Sequence, residues 1–217
     1  MWIIKLGGSL LRSPELIKWL ALVAQYSDGK VVIVPGGGLF ANSVREAQMI
    51  TNVSDAVAHK MALLAMDQYG LMLAGMNPAL VTASSELEIA ERGWQHRGIV
   101  WLPSKMVLAD QTIPPNWQVT SDSLSAWLGN QLGAQQLILV KSKSLITYQK
   151  EASSRLQHLV DDELIDSQFV NYIAGQEYQT WVLNKTDYTI FEQGFNAQKL
   201  KEKGLLIKGS SNNSITQ

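Results

Sequence analysis

The sequence predicts an α/β fold, a three-layer αβα sandwich around a mostly parallel central sheet. Three observations predict it. The apolar run at 31–34 is continuous rather than alternating, as a strand covered on both faces requires, and 2–6 and 137–140 read as further buried strands. Between them lie stretches with the apolar spacing of helices, so strand and helix alternate along most of the chain. The first two strands also end in glycine loops, Gly7-Gly8-Ser9 and Gly36-Gly37-Gly38, at the carboxyl edge where open α/β sheets bind their ligands.

After strand 2–6, Ser13-Pro14-Glu15 supplies an N-cap, a proline at the first helical position and an acid in the first turn. Leu16, Trp19, Leu20, Leu22 and Val23 form the buried stripe of that helix, and Asp28-Gly29 ends it. Beyond strand 31–34 the pattern is helical over 39–76, as two helices broken near 51–54, with Asn77-Pro78 closing the second. A short apolar run at 79–82, a helix over 84–92, a strand at 98–102 and a short helix reaching Asp110 come next. Pro114-Pro115-Asn116-Trp117 reads as a loop, and Thr120-Ser121-Asp122-Ser123 opens a helix over 121–132. Strand 137–140 ends at Lys141, and the polar segment 149–158 has no assignment. A helix is expected at 162–173, a strand at 180–183, a helix at 188–195 and a last strand at 205–208. The Ser/Asn-rich stretch 209–217 reads as a frayed, disordered tail. No linker divides the chain, so residues 1–208 are expected to form a single domain.

Composition removes whole classes of function. Against 18 Lys and Arg stand 19 Asp and Glu, a net charge of −1, and no basic run tracks a phosphate backbone, so nucleic acid is not an expected partner. Cysteine is absent, which excludes disulfides, thiolate metal sites and a Cys nucleophile. No run approaches the ~18 apolar residues of a membrane span. The N-terminal apolar run is broken by Lys5 and two glycines, too early for a signal peptide, so a cytoplasmic protein is expected. His59, His96 and His158 show no metal-ligand spacing, and no protein-held metal is expected.

The two glycine loops are the centre of the functional reading. Lys5 projects from the end of its strand toward the first loop, and bare backbone amides with one fixed ammonium suit a phosphate. The segment 36–41 also fits the dinucleotide pattern G-x-G-x-x-[GA]. That pattern belongs to the first strand of its unit, however, and no acid ends a following strand to hold a ribose, so a nicotinamide-dependent oxidoreductase is disfavoured. Asp122 is either a carboxylate that favours its helix dipole or the partner that keeps Lys5 charged in a dry crevice. Lys141 is either a nucleotide contact or a solvated strand end. Arg45 and Asp55 lie on the two helices that follow the triple-glycine loop and read either as site residues or as a charged helix surface, and His59, on the same face as Asp55, reads as structural or as a helix-surface residue.

Lys5-Leu6-Gly7-Gly8-Ser9, Pro35-Gly36-Gly37-Gly38, the Ser121-Asp122 helix mouth and the strand ending at Lys141 resemble, in order and spacing, the amino acid kinase superfamily. Acetylglutamate, uridylate and isopentenyl phosphate kinases belong to it. Stretches 3–10, 32–45, 54–60, 65–67, 102–105 and 117–125 are most similar to its branch acting on [5-(aminomethyl)furan-3-yl]methyl phosphate in methanofuran biosynthesis. The resemblance implies an open αβα sandwich assembled as a homodimer or a ring of dimers. It also implies ATP-dependent phosphorylation of a small phosphorylated acceptor to a diphosphate, a reaction that rests on positioning and charge stabilisation. Lys5 would neutralise the transferring group and Asp122 would organise the lysines. The amides of Gly7, Gly8 and Ser9, with Lys141, would hold the ATP phosphates. Gly36, Gly37 and Gly38 would cradle the acceptor phosphate, with Arg45 and Asp55 on the acceptor side. Mg²⁺ would be carried largely by the nucleotide.

Where many relatives continue this strand with Thr-Asp and then Asp-Gly, the chain has Lys141-Ser142-Lys143-Ser144. The family's second phosphate-binding lysine falls on Lys141, Lys185 or Lys208. An acceptor bearing an ammonium would want Asp55 or Asp67 beside it, whereas an apolar pocket without an acid would favour an isoprenoid phosphate. The rival readings are another superfamily kinase, acting on a carboxylate or isoprenoid phosphate, and a non-catalytic nucleotide-binding regulator.

Overall fold

The computed structural model describes residues 1–148 and 155–207. Seven strands form its sheet: β1 (Trp2–Leu6), β2 (Val31–Pro35), β3 (Leu80–Ala83), β4 (Gly98–Trp101), β5 (Gln136–Lys141), β6 (Gln179–Asn184) and β7 (Leu205–Ile207). They lie in the order β3-β4-β2-β1-β5-β6-β7, and among the described residues only the β6–β7 pair is antiparallel. The helices are α1 (Glu15–Tyr26), α2 (Gly38–Thr51), α3 (Asp55–Gly75), α4 (Glu86–Trp94), α5 (Ser104–Ala109), α6 (Ser121–Gln131), α7 (Arg155–Asp161), α8 (Phe169–Ile173) and α9 (Ala197–Lys203). Among the described residues no helix is long and apolar enough to cross a membrane.

Side chains alternate along a strand, so Ile3 and Lys5 share one face of the sheet while Ile4 and Leu6 share the other. On the first face Ile3, Val32, Val34, Leu137 and Leu139 pack with Leu63 of α3, Leu124 and Leu128 of α6 and Phe169 of α8. On the second, Ile4, Leu6, Ile33 and Ile138 pack with Trp19 and Leu20 of α1, with Leu200 of α9 and with Phe191, which precedes α9. Both faces are therefore covered. Every residue of β2 and β5 is buried, which is why those segments read as unbroken apolar runs.

The sheet order places the site. From β1 the chain moves to β2 on one side, and it returns on the other side as β5. Connections that diverge at one strand open a crevice at the carboxyl ends. Leu6, Pro35 and Lys141 end their strands there.

Elements up to β5 follow the spacing closely, including the break between α2 and α3, where Asn52 takes a left-handed conformation at φ +55°. Pro14 stands at the N-cap position and α1 starts at Glu15, one residue later than expected. Beyond β5 the differences are larger. The helix expected over 162–173 is interrupted: Glu163 is left-handed at φ +54°, and the chain turns through Asp166 before α8 begins. The helix expected over 188–195 is a 3-10 helix, Lys185–Phe191, opened by an Asn184–Asp187 capping box. Helix α9, capped by Asn196, was not expected from the sequence. Lys208, the tail at 209–217 and residues 149–154 of the unassigned segment lie outside the described residues.

Candidate active site

The two glycine loops touch backbone to backbone. Gly36 donates its amide to the Leu6 carbonyl at 2.9 Å. A Cβ placed on Gly8 would stand 2.2 Å from the Gly38 Cα, and one on Gly36 would stand 2.6 Å from the Gly8 nitrogen. No side chain fits at either position without parting the loops. Gly38 also takes a positive φ of +56°, where a Cβ would press on the Tyr69 ring. The sequence supplies glycine where contact between the two loops demands it.

Over this junction lies a buried ion cluster. Lys5 Nζ is 2.9 Å from Asp122 Oδ1. Lys141 Nζ donates to both Asp122 oxygens, at 2.8 and 2.7 Å. Strand register explains the meeting: Lys5 pairs with Leu139, and Lys141 lies two residues further along β5 on the same face. Helix α6 packs on that face, and its first turn carries Asp122. A Cβ on Gly7 would be 3.1 Å from the Lys5 ammonium, so the charge rests against the first glycine loop.

Burial pushes the Asp122 carboxyl up, but Lys141 and Lys5 together outweigh it and hold the group down at about 2. Burial is also the largest influence on Lys141, lowering it to about 8, with Asp122 opposing and the Lys5 charge adding to the fall. Two ammonium groups share one carboxylate, leaving an excess positive charge in a largely dry place. Such a place favours a polyanion.

The mouth of α6 is fixed by a residue that the sequence reading passed over. Asp166 accepts the Thr120 hydroxyl at 2.6 Å, the Thr120 amide at 3.2 Å and the Ser123 amide at 3.0 Å, as well as the Ser123 hydroxyl. It also accepts the Phe169 amide at 2.9 Å, so one carboxylate ties α8 to the turn that presents Asp122. Its partners on that turn lie far away in the chain, and no local pattern announces it.

Beside the cluster opens a cleft of about 630 Å³. Gly8, Ser9, Gly37 and Gly38 line it, whereas Gly7 and Gly36 lie behind them. Arg12 and Arg45 contribute cations, and His59, Asn116, Trp117 and Ser121 contribute neutral polar groups. Leu39, Leu63, Met66 and Leu124 are among its apolar walls. Burial lowers the His59 imidazole, with the Asn116 backbone opposing. Arg12 was missed in the sequence, although a cation three residues beyond a glycine loop was a usable signal. His59, read as structural, faces the cleft.

No Asp or Glu lines this cleft among the described residues. Asp55 is exposed on the first turn of α3 and accepts from Gln48 Nε2 at 2.8 Å, outside the lining. Asp67 accepts the Ser104 amide at 3.1 Å and its hydroxyl, at the start of α5. Lys185 is held by Ser13 and Glu15, away from Asp122. Of the candidate lysines among the described residues, Lys141 is the one brought to Lys5. Ser142 sets its hydroxyl 3.3 Å from that of Ser9. Among the described residues no group of three His, Asp or Glu side chains gathers as a metal site.

Comparison with known proteins identifies the family. A match to the amino acid kinase family covers residues 1–174. The chain is 34% identical over 163 residues, 74% of its own length and 74% of the relative's, to the [5-(aminomethyl)furan-3-yl]methyl phosphate kinase of Methanocaldococcus jannaschii. Solved structures share the fold at lower identity. Uridylate kinase from Archaeoglobus fulgidus superposes with a TM-score of 0.62 at 19% identity, over 83% of this chain and 89% of that one. UMP kinase from Ureaplasma parvum gives 0.61 at 15% identity, over 84% and 88% of the two chains. UMP kinase from Bacillus anthracis gives 0.60 at 14%, over 95% and 98%. The chain belongs to the amino acid kinase family and is a phosphotransferase of the kinase type.

Proposed function

We propose that the protein transfers the γ-phosphoryl group of ATP to the phosphate of a small phosphate monoester, giving a diphosphate, with [5-(aminomethyl)furan-3-yl]methyl phosphate as preferred acceptor. One observation carries the reading. Two glycine loops in backbone contact lie beneath a carboxylate that holds two ammonium groups, so two phosphates can meet where Lys5 and Lys141 face both. An acceptor phosphate oxygen attacks the γ-phosphorus, the bond from γ-phosphorus to the β–γ bridging oxygen breaks, and ADP leaves with that electron pair. The attacking oxygen of a phosphate dianion needs no general base. Lys5 and Lys141 offset the charge that spreads over the transferring oxygens, and Asp122 keeps both ammonium groups in place.

Mg²⁺ accompanies the nucleotide in this reading. Both Asp122 oxygens are engaged by lysines, so the phosphate oxygens of ATP are the donors that fit it. The 34% identical relative supports the choice of acceptor. A second reading, an acceptor with an apolar body such as an isoprenoid phosphate, is supported by the carboxylate-free lining of the cleft among the described residues. Association as a homodimer is a further part of the proposal, supported by the exposed Met49, Ile50, Val57 and Leu64 on α2 and α3.

Purified protein incubated with ATP, Mg²⁺ and a panel of phosphate monoesters, followed by ³¹P NMR, tests the function. Acceptor-dependent appearance of diphosphate resonances is expected, strongest with the aminomethylfuran. Faster turnover of an isoprenoid phosphate would favour the second reading. ADP release that no phosphate monoester accelerates would overturn both.

A further inference from the structure

At the mouth of the cleft a cation and an aromatic ring are held by residues that stand outside it. Arg45 lays its guanidinium over Trp117, with the central carbon 4.3 Å from the ring centroid. The Trp117 indole N–H donates to Gln48 Oε1 at 2.6 Å. Gln48 Nε2 donates in turn to Asp55 Oδ1 at 2.8 Å and to the Val53 carbonyl at 3.3 Å. Only one orientation of the Gln48 amide satisfies all three partners, because the indole can only donate and the two oxygens can only accept. Arg45 and Trp117 line the cleft, and Gln48 and Asp55 do not.

The chain of contacts joins three elements. Arg45 and Gln48 lie three apart on α2, on one helix face. Asp55 opens α3, and Trp117 belongs to the loop before α6. An exposed arginine ordinarily samples many rotamers, and ordering it at the moment of binding weakens affinity. Stacking on a ring whose plane is pinned through its N–H removes much of that freedom beforehand. A guanidinium held in this way presents a planar fork that matches two oxygens of a phosphate.

We infer that Asp55, Gln48 and Trp117 are positioning residues that pre-set Arg45 for the anionic end of the acceptor, which makes this stack a selectivity element for phosphate monoesters. The inference rests on the acceptor reading above and adds to it the residues that select the acceptor. Asp55 thereby acts on the site through Gln48 and the indole, without touching the ligand.

Four variants test it: Trp117→Leu, Trp117→Phe, Gln48→Met and Asp55→Asn. Trp117→Leu should raise the acceptor KM about 10-fold, while kcat and the ATP KM stay within about twofold. Trp117→Phe keeps the ring face and loses the N–H, so it should fall between Trp117→Leu and wild type. Gln48→Met should match it, and Asp55→Asn should raise the acceptor KM about twofold to threefold. A merely structural role would move both KM values together, and that result, or an unchanged acceptor KM in Trp117→Leu, overturns the inference. A second measurement needs no acceptor: amide hydrogen exchange over residues 111–119 of the free protein should quicken in Gln48→Met and Asp55→Asn. If wild type phosphorylates no phosphate monoester, the acceptor reading falls, and exchange decides the latch alone. Unchanged exchange in both variants then overturns it.

Discussion

Lys5, Asp122 and Lys141 come from three separate elements, have side chains no more than 10% exposed, and find their charge partners in one another. Arg12 and Arg45, a short way off in the cleft, are exposed, and Arg45 rests on a ring instead of a carboxylate. The members of the first group hold one another. In the proposed reading the second group finds its hydrogen-bond partners on the acceptor. Phosphoryl transfer needs the same charge arrangement whatever the acceptor, so it belongs in the rigid, buried part. Recognition of one acceptor belongs where substitutions disturb little of the core.

If that division holds, the largest effect should come from the buried cluster. Lys5→Ala is expected to lower kcat about 10³-fold with native-like circular dichroism, since Lys141 still pairs with Asp122. Turnover within tenfold of wild type would place the chemistry elsewhere. Gly8→Ala should follow, at about 10²-fold in kcat/KM for ATP, because its Cβ meets the Gly38 Cα and the loops must part. The same substitution at Gly133, which has open space around it, tests strain at positive φ without touching the loops and should leave turnover unchanged.

Next comes pH. Lys141 is lowered to about 8, so kcat/KM for ATP, which reports the free enzyme, should fall about 10-fold for each unit above that value. Lys141→Arg should abolish this alkaline limb, at some loss of rate below it. Folding stability should move the other way. A lysine lowered on folding carries its cost in full below about 8, and the cost is relieved as pH rises toward the ordinary lysine value, so the loss of rate is not unfolding. Asp122 contributes stability instead of a cost, with the same direction in pH: its contribution is present above the ordinary carboxylate value and is lost as pH falls through about 2.

The smallest effects should lie in the cleft and behind it. Arg12→Ala is expected to raise the acceptor KM several-fold, up to about 10-fold, with the ATP KM little changed. Equal rises in both would erase the distinction between the two regions. Asp166→Asn should lower kcat about threefold and the melting temperature by a few degrees, since the mouth of α6 loses a charged acceptor but keeps its Thr120 cap.

Much of this was legible without coordinates. The unbroken apolar runs, the helical stripe from Leu16 to Val23 and the glycines after two strands are local patterns, and local pattern decides which segments become strand, helix or tight turn. Those patterns placed the two loops at strand ends and singled out Lys5 and Asp122. They failed where an element depends on a distant partner. The interruption before α8 depends on Asp166, whose other ligands are Thr120 and Ser123, and the 3-10 helix after β6 packs Phe191 into the core under α1. Asp55 was put on the acceptor side because it lies on a helix after the triple-glycine loop, and its carboxylate turns to Gln48. Which lysine joins Lys5 was settled by the parallel register of β1 with β5. Spacing along the chain determines what each segment can become, whereas the pairing of charges across strands depends on sheet order and register, which exist only once the sheet has formed.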